Sequence, residues 1–167
     1  GSLGSTYFQN RHFLSALPQV RWNIVEQARH VETGKASFAD DHLFFYTDIA
    51  DCLADTQPNV VLLSGVLQYL ERPWAVFGQI QALPCDHIIV DRTPFWPGPT
   101  DRLCVQTVPP SVYLASYPSW VFSREQLRSR LHGDWRIIVT FDNPDRMAAP
   151  VDVAYQGVII ARGNHPS

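Results

Sequence analysis

The residues of this sequence best suited to chemistry are glycines and carboxylates that punctuate apolar runs. The chain opens on Gly1-Ser2-Leu3-Gly4-Ser5 and passes directly into a stretch with helical spacing. Glycines let backbone approach a ligand closely, and a helix start offers free amides. Roughly twenty residues later RWNIVEQ ends on Glu26 and Gln27, and an acid so placed after a glycine loop commonly accepts hydrogen bonds from ribose hydroxyls. The competing role for Glu26 is a solvated carboxylate paired with Arg29. Asp48, just past LFFY, suits either an adenine amino group or the N-cap of a helix starting at Ile49, and the cap alone is sufficient. Ser64-Gly65 closes the run NVVLLS, and Asp91-Arg92 closes HIIVD.

Those positions matter only if the chain gathers strand ends, so the elements must be read around them. Helical spacing predicts a first helix over 5–17, stopped by Pro18, then a strand over 21–27 and a helix over 28–38. A short strand at 43–46, a helix at 49–55 and a buried strand at 59–64 follow. Residues 66–83 have helical spacing that Pro73 breaks or restarts, and 87–91 is another apolar strand. Between 92 and 122, Pro94, Pro97, Pro99, Pro109, Pro110 and Pro118 interleave with aromatics, which predicts a cap or loop insertion. Ser123 and Gln126 have capping-box spacing for a helix over 123–131. Two late strands, 135–141 and 153–160, have no helix between them. The expected fold is α/β: a Rossmann-like, doubly wound and mostly parallel sheet that ends in an antiparallel hairpin. Ligands of such sheets sit beyond the carboxyl ends of the strands.

Composition narrows the classes of function. With 167 residues and roughly 150 per domain, one domain over 1–167 is expected. A hydrophobic fraction of 46% supplies a core, and 17% charged residues is too few for a disordered or coiled-coil chain. The formal net charge of -3 offers no field for nucleic-acid phosphates or an anionic membrane surface. Small-molecule chemistry remains. Three cysteines, none in a C-x-x-C pair, fit a reducing cytoplasm and give no metal site. No apolar run is long enough to span a membrane, and no signal peptide is evident.

The succession GSLGS, NIVEQ, LFFYTDI and VVLLSGVLQYLERP resembles class I S-adenosylmethionine-dependent methyltransferases. More narrowly, SLGSTYFQNRHFL, DRTPF and DRLCVQTVPPSVYLASYPSW resemble a family of bacterial methyltransferases of unassigned substrate. The resemblance implies S-adenosylmethionine as cofactor. Gly1, Ser2 and Gly4 would pass its methionyl part, Glu26 and Gln27 would meet the ribose, and Asp48 would lie toward the adenine. Ser64, Gly65, Val66 and Gln68 would line the methionine side. Tyr69 is either a cation–π partner for the sulfonium or a core aromatic at helical spacing. Asp91 is the expected catalytic base for a hydroxyl acceptor, with a salt bridge to Arg92 or Arg102 as its alternative role. Arg92, Arg102, Tyr113, Tyr117 and Trp120 are expected to bind a small-molecule acceptor, the arginines suiting a phosphate or carboxylate and the aromatics a sugar. The family places a central strand before the glycine loop. This chain starts inside the loop, so that first strand is expected to be missing and the sequence to be part of a longer polypeptide. A non-catalytic binding domain of the same fold and a nucleotide-cofactor oxidoreductase are the alternatives, although the loop lacks the G-x-G-x-x-G spacing.

Overall fold

The aliphatic runs become paired strands of two sheets in the computed structural model, which describes residues 2–108, 110–111, 114–145 and 152–163. The chain divides into two compact units, Gly1–Pro58 and Asn59–Ser167, each with its own core.

The first unit runs α1 (Ser5–Leu14), β1 (Trp22–Val25), α2 (Ala28–Ser37), β2 (Leu43–Tyr46) and α3 (Ile49–Asp55). The bounds of β2 and α3 are those expected; α1 stops at Leu14 rather than at Pro18. β1 and β2 pair in parallel, from Trp22 opposite Leu43 to Val25 opposite Tyr46. Ile24, Leu43 and Phe45 bury one side of this pair with Tyr7 of α1 and Val31 of α2. Side chains of this size contribute about 1.5–3 kcal/mol each when fully buried. Asp40 sets the entry to β2. Its Oδ1 accepts the amides of His42 and Leu43, both at 2.8 Å, and its Oδ2 accepts the Tyr7 hydroxyl at 3.0 Å. Burial pushes the Asp40 carboxyl up, but these donors and Arg11 outweigh it and hold it below its ordinary value.

The second unit contains β3 (Val60–Ser64), α4 (Pro73–Gln81), β4 (His87–Trp96), β5 (Arg102–Val108), β6 (Ala115–Ser123), α5 (Arg124–Ser129), β7 (Trp135–Asp142) and β8 (Ala154–Arg162). The helical spacing over 66–83 resolves into a single 3-10 turn, Leu67–Tyr69, and α4, with Pro73 at its first turn. β4 is the axis of the sheet. β3 runs parallel to its first half, β8 lies antiparallel along its other side, and β6 joins in parallel at Phe95 and Trp96. β7 and β8 form the expected C-terminal hairpin. Among the described residues β1 pairs only with β2, and β3 only with β4.

The proline-rich stretch 92–122 is more regular than a loop. It holds the end of β4 and an antiparallel hairpin, β5–β6, in register from Arg102 opposite Val121 to Val108 opposite Ala115. The two prolines inside strands, Pro94 and Pro118, are tolerated because each sits where one side of its strand is unpaired. Pro118 faces only Val105 of β5, since β6 meets β4 only at Phe122 and Ser123. Pro94 likewise has β8 alone beside it. Asp101 anchors the hairpin by accepting the Trp74 indole N–H at 2.6 Å and the Ser123 amide at 2.8 Å. Ser123 then caps α5 as expected, accepting the Gln126 amide.

Two helical glycines give opposite expectations for the same substitution. In α2, a Cβ on Gly34 would lie 2.5 Å from the buried Phe45 ring, so Gly34→Ala should destabilise the protein by about 1–3 kcal/mol. Gly78 in α4 has nothing within 4 Å of that position, and Gly78→Ala should stabilise by about 0.5–1 kcal/mol. Urea unfolding midpoints, at unchanged slope, should move in those two directions.

Candidate active site

The predicted site residues fall into two groups, one at the strand ends of each unit. In the first, Gly4 is the N-cap of α1 at φ 95 and Ser2 stands at φ 56, so the turn before the helix is built from left-handed backbone. Gly4 is also tightly packed: a Cβ there would meet Leu43 at 3.1 Å and Phe8 at 3.3 Å. The Ser2 amide donates to Oε1 of Glu26 at 2.9 Å, joining the glycine turn to the end of β1. Oε2 of Glu26 accepts the Gln27 amide at 3.0 Å and has His30 Nδ1 at 3.6 Å. The ion-pair partner of Glu26 is therefore His30, one helical turn on, rather than Arg29. Burial alone would raise the Glu26 carboxyl, but the two amides and His30 together hold it below its ordinary value. Gln27 is exposed and starts α2. Asp48 is the N-cap of α3, its Oδ1 accepting the Ala50 amide at 2.5 Å, which accounts for the residue without a ligand. Gly1 lies outside the described residues.

A cleft of about 570 Å³ also opens in this unit, lined in part by Arg11, Arg21, His42 and Phe44. None of the predicted site residues lines it. It lies where β1 and β2 begin, the wrong end of a parallel pair for a ligand of this fold.

In the second unit, Ser64 pairs with Asp91 where β3 meets β4. Gly65 leaves the sheet at φ 63, a conformation that favours glycine, and its amide donates to the Asp91 carbonyl at 2.9 Å. Oδ2 of Asp91 accepts the Ser64 hydroxyl at 3.2 Å, and Oδ1 accepts the Asn143 side-chain amide at 3.3 Å. Asp91 thus takes neutral donors, and neither expected arginine is its salt-bridge partner. Opposite it β4 is irregular: Val90 faces Val158 and Thr93 faces Gln156, which leaves Asp91 and Arg92 against the single residue Gly157. This is a β-bulge, a device that re-aims side chains beside functional sites. Arg92 takes up the distortion at φ 50, a left-handed conformation that costs roughly 1–2 kcal/mol in a residue with a Cβ.

Three contacts hold the bulge. Gln68, 2% exposed, donates its side-chain amide to the Arg92 carbonyl at 3.0 Å. The Thr93 hydroxyl donates to the Asp91 carbonyl at 3.1 Å. Arg92 Nε donates to Oδ2 of Asp145 at 2.7 Å, and that carboxylate raises the guanidinium further above its ordinary value. The oxygen of the same Gln68 amide, Oε1, is buried without a partner among the described residues, an unusual state for a buried carbonyl. Val66 leads into the 3-10 turn and is half-buried.

The aromatic residues divide. Tyr69 is 45% exposed, so it is not a core residue; its hydroxyl donates to Gln106 at 3.2 Å and its ring stands edge-on to Tyr117 at 5.5 Å. Trp120 is structural in its contacts, donating its indole N–H to the Leu70 carbonyl at 3.1 Å. Arg102 lies over the Trp96 ring at 3.8 Å, within the proline-rich region. Tyr113 lies outside the described residues. Asn143, Asp145 and Tyr155 were not predicted, since nothing local distinguishes a polar turn that returns to β4. Burial, with Tyr69 and Asp145 adding, pushes the Tyr155 phenol up to about 12. Cys52, Cys85 and Cys104 are free thiols, and burial raises the first two. Among the described residues no cluster of three His, Cys, Asp or Glu side chains could hold a metal ion, and no helix is long and apolar enough to cross a membrane.

No protein-family model matches the chain, and no curated protein matches it. Solved structures do. The N-terminal domain of EvdMO1, with SAH bound, is 14% identical with a TM-score of 0.60; the likeness covers 97% of this chain and 71% of that one. LepI, as a complex with SAH and a substrate analogue, is 10% identical with a TM-score of 0.59, over 97% of this chain and 41% of its own. At these identities the likeness shows a shared α/β fold.

The depressed Glu26 and Asp40 carboxyls make the first unit acid-sensitive in a defined direction. A folded-state pKa below the unfolded one adds stability that is complete above the ordinary carboxylate range and is lost as pH falls through the folded value. Urea midpoints should therefore be flat above about pH 5 and fall below it, and Glu26→Gln and Asp40→Asn should each flatten the fall.

Proposed function

We propose that this chain belongs to the catalytic domain of an S-adenosylmethionine-dependent methyltransferase acting on a small hydroxylated acceptor such as a sugar. The main support is the joint between Ser2 and Glu26: a strand-end carboxylate bonded to the amide of a left-handed glycine turn. The shared fold of two structures described with SAH bound supports the same cofactor class.

The residues fit that group. An ionised carboxylate has about four acceptor sites, and the Ser2 and Gln27 amides use two on Glu26. Two remain for the paired hydroxyls of a ribose, on a side chain that is a quarter exposed. When bound, S-adenosylmethionine supplies an electrophilic methyl group whose C–S bonding pair stays with sulfur on transfer.

The chain's own part is then orientation and proton removal. Ser64 and Asn143 hold the two oxygens of Asp91 in place and leave each with acceptor capacity. A carboxylate oxygen of Asp91 takes the acceptor hydroxyl proton as the acceptor oxygen gains its new carbon, and releases it to solvent afterwards. Tyr69 and Tyr117 offer aromatic ring surface to a sugar.

Isothermal titration should give saturable binding of S-adenosylhomocysteine and none of NADH; the reverse result selects an oxidoreductase. Glu26→Ala should weaken S-adenosylhomocysteine binding by roughly 1.5–3 kcal/mol, while unchanged affinity removes the ribose role. Asp91→Asn should keep cofactor affinity and lose methyl transfer, and a fully active variant would remove Asp91 as the base.

A further inference from the structure

Both arginines expected to attract an anionic acceptor are otherwise engaged. Arg102 lies over the Trp96 ring, and the Nε of Arg92 is bonded to Asp145. With side chains 57% and 34% exposed, the Arg92–Asp145 pair adds little to stability. Its effect on local charge is larger. Where β4 bulges, Asp91 and Asp145 set two carboxylates beside the Arg92 guanidinium among the described residues. Both carboxylates belong to one polar arrangement: Asn143 donates its side-chain amide to Asp91 and accepts the Asp145 amide on its own Oδ1 at 3.0 Å. A three-residue turn, Asn143-Pro144-Asp145, thereby delivers one side chain to each residue of the bulge. Tyr155 and Tyr69 add neutral phenols to this electronegative cluster.

Resting on the methyltransferase reading for the meaning of the site, we infer that Asp145 is a specificity residue that masks Arg92, so that the acceptor carries no phosphate or carboxylate where it meets this cluster. A neutral polyhydroxylated ring donates to the Asp91 carboxylate without meeting repulsion. A phosphate or carboxylate meets like charge, and exclusion of such partners by repulsion is a common source of specificity. The same ring hydroxyls would serve a free sugar or a neutral glycoside equally.

Inorganic phosphate tests the masking directly and needs neither cofactor nor acceptor. In nitrogen-15 spectra that resolve arginine Nε–H groups, phosphate should leave the Arg92 resonance of the wild type in place. In Asp145→Asn the resonance should shift saturably, with phosphate affinity raised about tenfold or more by removal of the adjacent charge. Arg92→Lys in the Asp145→Asn background should reduce that affinity again. Asp145→Ser is a second unmasking variant, so a folding defect in one does not decide the matter. Saturable phosphate binding at Arg92 in the wild type, or no gain in either folded variant, overturns the inference. Failure of S-adenosylhomocysteine to bind would overturn the methyltransferase proposal while leaving the phosphate result to stand or fall by itself.

Discussion

A left-handed arginine in the middle of the central strand is the constraint on which the second unit's strand-end geometry depends. Arg92 cannot hold φ 50 by its own preference, and the surrounding bonds have to over-determine it. Gln68 fixes its carbonyl, Thr93 fixes the carbonyl before it, and Asp145 fixes its side chain. Because two residues then oppose one on β8, Asp91 turns out of the regular pleat toward Ser64 and Asn143. Gly157 opposite the bulge is part of the same solution. Its missing side chain leaves room for the Phe141 ring, which lies 2.1 Å from where a Cβ would sit.

The first unit uses a different device for a comparable end. Its carboxylates are fixed by backbone amides rather than by side chains. Asp40 gathers two amides and a phenol at the start of β2, and Glu26 gathers two amides at the end of β1. Amide donors favour the ionised form, so both groups stay charged while partly buried. One holds the strand entry; the other leaves acceptor capacity at the strand exit, where a parallel pair presents its ligands.

What could be read in the sequence was whatever a few neighbouring residues decide. LFFY reads as a strand, Asp48 and Ser123 as helix caps and Pro73 as a helix start, because each depends on local backbone chemistry. The glycine turn and Glu26 were legible as a pair only through their spacing and family resemblance; the bond between them was not. The bulge was hidden for a different reason. HIIVDRTPFW gives no local sign that Gly157, far along the chain, will oppose two residues at once. The hairpin β5–β6 was hidden by its own prolines, whose meaning depends on which strand edge is left unpaired. Arg92 was expected to meet an anionic acceptor or Asp91, and its bond to Asp145 was hidden, since a carboxylate contributed by a later turn cannot be anticipated from charge at the strand end.

The turn Asn143-Pro144-Asp145 has a consequence for how such a protein can change over time. It lies at the exit of β7, where the pairing with β8 runs to Asp142 opposite Gln156 and ends on the Asn143 amide donating to the Tyr155 carbonyl. Loops outside a ladder accept replacement more readily than the strands they join. Exchanges at Asn143 or Asp145 would therefore reach Asp91 and the strained Arg92 directly, while the buried sheet beneath them is inherited intact. A scaffold of this kind separates the evolution of a polar cluster at the strand ends from the evolution of the sheet that carries it.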